Sequence, residues 1–214
     1  MKVTIICNNP QHPVYSYLEK WKKENSNSYD IELLTTVKDV SDHRDILFLV
    51  SCSEIVHHSI RNMFRYSLVL HASDLPEGRG WSPYIWDILN GKDTLTLSLL
   101  NVEDPVDTGD IWQKKQIRLR GNELYDEINH KLFIAELELM SWACESIESS
   151  IAQPQSDIVG SYHRKRTPED SKLDADASIR SQFNLLRICD PDRYPAYVII
   201  NDTKYNIRLE KADA

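Results

Sequence analysis

Short apolar runs alternate with segments of helical periodicity along the first part of the chain. Four runs bounded by polar or turn-forming residues are typical of buried strands: 3–7, 31–35, 46–50 and 68–70. Between them, apolar residues recur at helical spacing in 14–23 and 54–64, with Ser53 as the predicted N-cap of the second helix. Alternating strands and helices predict parallel strands joined by right-handed crossovers.

The pattern continues to the end of the chain. Further elements are predicted as a helix at 83–89, strands at 94–100 and 111–119, a helix at 123–147 capped by Asn122, a helix from Asp176 or Ser178 to 188, and a hairpin of 197–200 with 204–209. The strand at 111–119 is expected to pair back as an antiparallel edge. Residues 153–171 contain two prolines and are the predicted linker. We therefore predict an α/β fold with a Rossmann-like, mostly parallel sheet over 1–150, and a linker with a small C-terminal helix and β-hairpin appendage over 151–214.

Side chains suited to catalysis follow two of the predicted strands. His71 ends the run at 68–70, and three aspartates follow the strand at 94–100: Asp104, Asp107 and Asp110. In open sheets, ligands bind beyond the carboxyl ends of the strands. Histidine is also the only side chain in these loops that ordinarily changes charge near neutral pH. The sequence thus predicts a site with one histidine and a few carboxylates. On the residues alone, His71 bonded to a backbone carbonyl and Asp107 in an Asx-turn remain alternatives.

The order of residues in this region resembles the folate-dependent formyltransferases. The matching positions are His71, Ser73, Leu75-Pro76, Gly80, Asn90-Gly91 and Asp107-Thr108-Gly109-Asp110. That family includes methionyl-tRNA, glycinamide ribonucleotide and sugar N-formyltransferases. The segment LHASDLP…GRGWSP looks closest to the sugar N-formyltransferases of pseudaminic-type amino-sugar pathways. The segment SYHRKRTPED near the C-terminus is also similar to the family.

The resemblance implies the formyltransferase fold, with 1–150 as the catalytic domain, and an enzyme that uses N10-formyltetrahydrofolate. The acceptor it implies is the amine of a nucleotide-linked amino sugar, with a UDP-4-amino-4,6-dideoxy type favoured. It assigns catalysis to His71, as a base or proton shuttle, and to Asp107, which would orient His71 and stabilise its charged form.

The resemblance also suggests binding residues. The folate would lie between the acidic loop and the loop after the third strand, in contact with Leu100, Asn101, Val102 and Asp104 on one side and Ser51, Cys52 and Ile55 on the other. The acceptor would meet Ser73, Arg79, Gly80 and Trp81. Trp81 is equally compatible with packing, and the basic cluster 163–166 is either a diphosphate site or a solvated face.

One position departs from the family pattern. The family has Asn two residues before the histidine, and this chain has Val69. Residues i and i+2 share a face of a strand, so Val69 lies beside His71 but cannot donate a hydrogen bond. Another donor must then face the formyl oxygen, from Ser73, Asn101, the 51–53 loop, a backbone N–H or charged His71. A rewired enzyme is favoured over a slow enzyme or an inactive relative.

Net charge and composition restrict the classes of partner that the protein is expected to bind. A net charge of −8 argues against a nucleic-acid surface, which disfavours a methionyl-tRNA formyltransferase as the alternative function. A non-catalytic folate or nucleotide-sugar binding module is the other alternative. Four widely spaced cysteines, a short apolar N-terminus and no run of roughly 18 apolar residues predict a cytoplasmic protein without a membrane partner. Seven histidines without ligand spacing predict no metal, and a homodimer is one expectation for the assembly.

Overall fold

The computed structural model describes residues 1–156, 158 and 160–212. In chain order, its elements are β1 (Lys2–Ile6), α1 (Val14–Asn25), β2 (Asp30–Leu34), β3 (Arg44–Leu49), α2 (His58–Arg61), β4 (Phe64–His71), β5 (Arg79–Gly80), α3 (Pro83–Leu89), β6 (Thr94–Asn101), β7 (Ile111–Arg118), α4 (Tyr125–Ser146), β8 (Tyr162–His163), α5 (Phe183–Ile188), β9 (Ala196–Ile200) and β10 (Thr203–Ile207).

Six of these strands form one sheet in the order β2-β1-β3-β4-β6-β7. The first four strands are parallel to one another, whereas β6 is antiparallel to β4 and β7 is antiparallel to β6. The predicted α/β fold with a mostly parallel sheet is confirmed, and so is the antiparallel edge at β7.

The sheet has a hydrophobic core on each face, because successive side chains of a strand point to opposite faces. On one face, Leu68 and Leu70 of β4 belong to a large cluster with residues of α1, α3 and α4. On the opposite face, Val69 packs in a smaller cluster with Leu49 of β3 and Val102 after β6. His71 is two residues after Val69 and therefore lies on the same face of the sheet. The candidate site is thus on the face with fewer helices.

The helix predicted at 54–64 is wrong at both ends, since α2 contains only His58–Arg61 and Phe64 begins β4. The Glu54 carboxylate accepts hydrogen bonds from the backbone N–H of Val37 and the hydroxyl of Thr36, at 2.7 and 3.2 Å. The backbone N–H groups of Ser53 and Glu54 bond to Asn8 Oδ1 instead of starting a helix. Tertiary bonds to the segments that follow β1 and β2 therefore replace the predicted Ser53 cap.

Two other helix starts also differ from prediction. Helix α4 begins at Tyr125, because Glu123 turns back to the backbone N–H groups of Arg120 and Gly121, and Asn122 does not cap it. Helix α5 begins at Phe183, because Gln182 bonds to the backbone of Asp174 and closes a loop over the predicted first turns. The hairpin of β9 and β10 is confirmed.

The predicted linker is bound to the sheet and is not a free connection. Gln153 and Ile111 exchange two backbone hydrogen bonds of 2.8 Å, and β8 pairs with β5. Further along, buried Arg187 of α5 donates to the backbone oxygen of Glu123 at 3.4 Å. The division at residue 150 stays a prediction, but both sides of it contribute to one packed unit. No helix in the described residues has the length and apolarity needed to cross a membrane.

Glu136 of α4 is a buried acid in the larger core. It is 7% exposed, and its Oε2 has no hydrogen-bond partner among the described residues. Burial disfavours the charged form and raises the pKa of Glu136 to about 8. The folded protein thus keeps this proton at pH values where the unfolded chain has lost it, and stability falls as the pH rises from about 4.5 through about 8.

We predict that Glu136→Gln removes this pH dependence. Relative to wild type, the melting temperature of the variant should rise by roughly 5 °C or more between pH 5 and pH 9, from the raised pKa and the usual entropy of unfolding. Thermal melts across that range measure it, with exposed Glu19→Gln as the control. An equal offset of the two melting curves at every pH would contradict the assignment.

Candidate active site

His71 is held at the end of β4 by a backbone carbonyl. The residue is 8% exposed, and its Nε2 lies 2.9 Å from the oxygen of Gly78. A carbonyl oxygen only accepts, so Nε2 carries the proton and donates it. In the neutral ring this leaves the lone pair on Nδ1. The carbonyl contact considered from the sequence alone is present, and it makes Nδ1 the basic atom of the ring.

Asp107 lies beside that basic atom. Its Oδ1 is 3.5 Å from His71 Nδ1, and its Oδ2 accepts a 2.9 Å hydrogen bond from the backbone N–H of Gly80. Asp107 has φ 63°, a left-handed conformation that costs energy for a residue with a side chain. A proton that arrives on Nδ1 would form an ion pair with this carboxylate. The pair is thus arranged to take up a proton from a neighbouring group.

The acidic loop reaches His71 by a route different from the predicted one. Because β6 is antiparallel to β4, its last residue, Asn101, lies opposite Leu68 and not beside His71. The loop must therefore turn back along β4 to bring Asp107 to the histidine. Gln155 fixes this turn, since its Nε2 donates to the backbone oxygens of Asp107 and Gly109 at 2.9 Å each.

Sequence reasoning missed the contribution of 153–163 to this site. The hydroxyl of Ser161 accepts from the backbone N–H of Gly78 at 3.0 Å, and the Ser161 backbone oxygen accepts from Arg79 at 2.9 Å. A Cβ on Gly160 would stand 1.7 Å from the oxygen of Pro76. In the sequence, only the pair Gly160-Ser161 indicated that this segment packs closely against another part of the chain. The rest of the segment has the composition of a linker.

The predicted acceptor residues differ in accessibility. Ser73 is 1% exposed, and its Oγ has no hydrogen-bond partner among the described residues, so its side chain is not accessible to an acceptor substrate in this conformation. Arg79 donates through Nη2 to Gln155 Oε1 at 3.3 Å, and Trp81 is 41% exposed with the ammonium of Lys165 4.6 Å from its ring centre. Gly80 contributes its backbone N–H, which donates to the Asp107 carboxylate.

The basic cluster 163–166 is largely occupied within the chain. Arg164 forms a two-bond pair with the Asp170 carboxylate, and Arg166 donates to the Asp170 backbone oxygen at 2.8 Å. His163 stacks on Trp86 with ring centres 5.7 Å apart. This arrangement fits a solvated face better than a diphosphate site.

The two predicted folate walls lie on one face of the sheet. Cys52, from the loop after β3, and Val102, from the acidic loop, both pack in the smaller cluster that includes Val69. Beyond them stand two exposed apolar side chains, Ile55 and Val106, with 57% and 59% of their surface accessible. A flat heteroaromatic ring between the loops would cover this apolar surface, so the residues fit a folate.

The remaining folate candidates are less available. Leu100 is fully buried, so only its backbone is able to meet a ligand. The Asn101 amide oxygen accepts from Trp112 Nε1 at 2.7 Å, and Trp112 packs on the opposite core. Asp104 pairs with Arg61. Burial raises the pKa of the Cys52 thiol to about 11, which keeps it protonated at neutral pH. Among the described residues, no group of three or more potential ligands is arranged to hold a metal.

Comparison with known proteins assigns the family. The family model described as formyl transferase matches residues 7–144, which is well over half of the chain. The chain therefore belongs to the formyl transferase family, and the resemblance identified from the sequence motifs is confirmed.

Two curated relatives are both named methionyl-tRNA formyltransferase. The methionyl-tRNA formyltransferase of Lachnospira eligens is 27% identical over 150 residues, covering 69% of this chain and 48% of the relative. That of Agathobacter rectalis is 32% identical over 110 residues, covering 51% of this chain and 36% of the relative. The chain thus spans about half or less of the length of these curated relatives.

Solved structures share the fold. A methionyl-tRNA formyltransferase from Clostridium thermocellum gives a TM-score of 0.83 at 21% identity, covering 100% of this chain and 94% of that chain. A sugar N-formyltransferase from a Shewanella species gives 0.75 at 19% identity, with 100% and 99% coverage. HypX from Aquifex aeolicus in complex with tetrahydrofolic acid gives 0.79 at 15% identity, with 98% and 37% coverage. At these identities the likeness establishes the fold alone.

Gly80 offers a test of the contact between β5 and β8. Its φ is +96°, and a Cβ there would meet the His163 backbone oxygen at 2.4 Å. We predict that Gly80→Ala separates the two strands, lowers the melting temperature and speeds proteolytic cleavage within 153–163. Gly91→Ala is a matched control, because φ is +84° there and no atom lies within 4 Å of the added Cβ. Equal effects of the two substitutions would show that the β5–β8 contact is unimportant.

Val69 offers a test of whether this site has been rewired. It pairs in register with Leu49 on β3 and Leu100 on β6, so an amide at this position would have apolar neighbours. We predict that Val69→Asn destabilises the protein by about 1–3 kcal/mol and leaves turnover within about threefold. Chemical denaturation and steady-state rates measure this, with Val69→Thr as the control of similar shape. A rise in turnover of about tenfold or more would instead identify a missing donor.

Proposed function

We propose that the protein transfers a formyl group from N10-formyltetrahydrofolate to the amine of a nucleotide-linked amino sugar, with a UDP-4-amino-4,6-dideoxy sugar as the favoured type. The observation that carries the proposal is the basic Nδ1 of His71 beside the Asp107 carboxylate, 3.5 Å apart, on the face that also presents the two apolar loops. A proton acceptor on the face that carries these apolar loops suits acyl transfer to an amine.

Proton balance gives each residue its role. When bound, N10-formyltetrahydrofolate supplies a formyl carbon whose bond to N10 breaks as a bond to the amine forms, so the amine loses one proton and N10 gains one. His71 Nδ1 receives the proton from the amine, and the neighbouring Asp107 carboxylate stabilises the charged ring. Gly78 keeps the ring in the tautomer that leaves Nδ1 free. Transfer of that proton from Nδ1 to N10 of the departing folate restores the resting site.

The acceptor class follows from charge and exposure. With a net charge of −8 and two arginines of its basic cluster bonded to Asp170, the chain offers little positive surface for RNA phosphates. The exposed aromatic rings of Trp81 and Tyr162 flank Gly80 and suit a sugar or a nucleobase. Methionyl-tRNA formyltransferase is the second candidate, because the curated relatives described above carry that name.

Mass spectrometry of product mixtures tests the acceptor. UDP-, dTDP- and GDP-amino sugars and an aminoacylated initiator tRNA would each be incubated with N10-formyltetrahydrofolate and the protein. We expect a formylated amino sugar and no formylated methionyl-tRNA. Formylation of the tRNA alone would reject the sugar assignment, and binding of folate without any formylated product would favour a non-catalytic module.

We predict that His71→Ala and Asp107→Ala each reduce turnover by about a hundredfold or more while the protein stays folded, as expected for loss of the proton acceptor or of its charged neighbour. Exposed His43→Ala and Asp42→Ala are the matched controls and should keep wild-type rates. Rates on the identified acceptor, with circular dichroism of each variant, provide the measurement. Near wild-type turnover in either site variant would remove that residue from the mechanism.

A further inference from the structure

A second histidine, outside the pair described above, has a fixed protonation state. His12 lies between β1 and α1, and its Nδ1 accepts a 3.2 Å hydrogen bond from the backbone N–H of Val14. The ring proton is therefore on Nε2, which lies 3.3 Å from Ser51 Oγ and donates to it. Burial, together with the charge of Arg193, lowers the pKa of His12 to about 4. The ring is thus an uncharged donor at neutral pH, and Ser51 keeps its own hydroxyl proton for another acceptor.

Ser51 occupies a strained and fixed backbone position. It is exposed, lies two residues after the end of β3 and has φ 48°, a conformation that residues with a side chain rarely adopt. The loop that follows is clamped, because Asn8 Oδ1 accepts from the backbone N–H groups of Ser53 and Glu54 at 2.7 and 3.3 Å. Strain that the surrounding structure maintains is common at functional sites. A glycine would adopt this backbone without cost, so the side chain of Ser51 requires another explanation.

The register of the sheet brings the ends of β3 and β4 side by side. Leu49 of β3 pairs with Val69 of β4, and Ser51 and His71 each lie two residues further along their own segments. Neighbouring strands are about 4.8 Å apart. Leu49 and Val69 share the smaller core cluster, which places this end of β3 on the face of the candidate site.

The other side-chain donors considered for the formyl oxygen are less suitable. Ser73 is enclosed at 1% exposure. The Asn101 amide is bonded to Trp112, which packs in the cluster on the other face of the sheet. Ser51 is exposed, keeps its hydroxyl proton for a ligand, and follows β3 at the end of the sheet where His71 ends β4.

We propose that the Ser51 hydroxyl donates a hydrogen bond to the formyl oxygen of the folate, in place of the donor that Val69 cannot supply, and that His12 is a positioning residue for Ser51. This inference rests on the proposed function. The donor would stabilise the negative charge that develops on the formyl oxygen as the amine attacks. His12 keeps the Ser51 oxygen engaged as an acceptor, which directs the hydroxyl proton away from the chain and toward the ligand.

Binding of two stable folates tests the contact without turnover. Dissociation constants of 10-formylfolate and folate would be measured by calorimetry for wild type, Ser51→Gly and the control Asn201→Gly, an exposed residue with the same φ of 48°. We expect wild type and the control to prefer the formylated ligand by about tenfold, the size of one hydrogen bond. Ser51→Gly should lose that preference while its melting temperature stays equal or rises, because glycine relieves the strain at φ 48°.

Turnover separates the donor from a structural role. Ser51→Gly should lower kcat by about tenfold or more and change the KM for folate by less than about threefold, since one oxyanion donor acts mainly in the transition state. His12→Phe should lower kcat in the same way, and His12→Gln, which keeps an N–H donor, should recover part of it. Ser51→Gly that keeps both wild-type kcat and the ligand preference would overturn the inference.

The outcomes also distinguish this inference from the proposed function. A wild-type protein that shows the Ser51-dependent preference but formylates no acceptor would overturn the proposed reaction and support the contact. Formylation that proceeds equally in wild type and Ser51→Gly would overturn the contact and leave the reaction in place. Failure of wild type to bind either folate would overturn both.

Discussion

The hydrogen bond from His71 Nε2 to the Gly78 carbonyl determines what this site is able to do. It fixes the tautomer of a nearly buried ring and assigns the basic lone pair to Nδ1, where the Asp107 carboxylate stands ready to stabilise a proton. A half-turn of the ring about the Cβ–Cγ bond would put ring carbons where the two nitrogens stand, and both contacts would be lost. The proton-accepting role proposed for His71 thus depends on the conformation of a glycine loop and not on the histidine alone.

That loop is in turn held by a part of the chain distant in sequence. Ser161 bonds to Gly78 and Arg79, β8 pairs with β5, and Gln155 grips the backbone on both sides of Thr108. The acidic loop must turn back along β4 to reach the histidine, and Gln155 provides hydrogen bonds at that turn. Gln155, Ser161 and β8 therefore belong to the candidate site in a physical sense, since they hold the loops that carry Gly78 and Asp107.

Sequence patterns predicted the parallel strands, the antiparallel edge and the placement of His71 and Asp107, because periodicity and motif spacing are local properties. They failed where tertiary bonds override local preference. Ser53 looks like a helix cap, but Asn8 takes its backbone N–H group. Ser73 matches a family motif, but packing encloses it. The linker composition of 153–171 gave no information on what those residues contact, and the protonation state of His12 follows only from its neighbours in space.

The structure of the protein in complex with 10-formylfolate and the acceptor sugar tests the central claim most directly. The formyl group should lie on the face of the sheet that carries Val69, with its oxygen about 3 Å from Ser51 Oγ and with the acceptor amine facing His71 Nδ1. A folate bound on the other face, or a formyl oxygen directed away from both Ser51 and His71, would contradict the account.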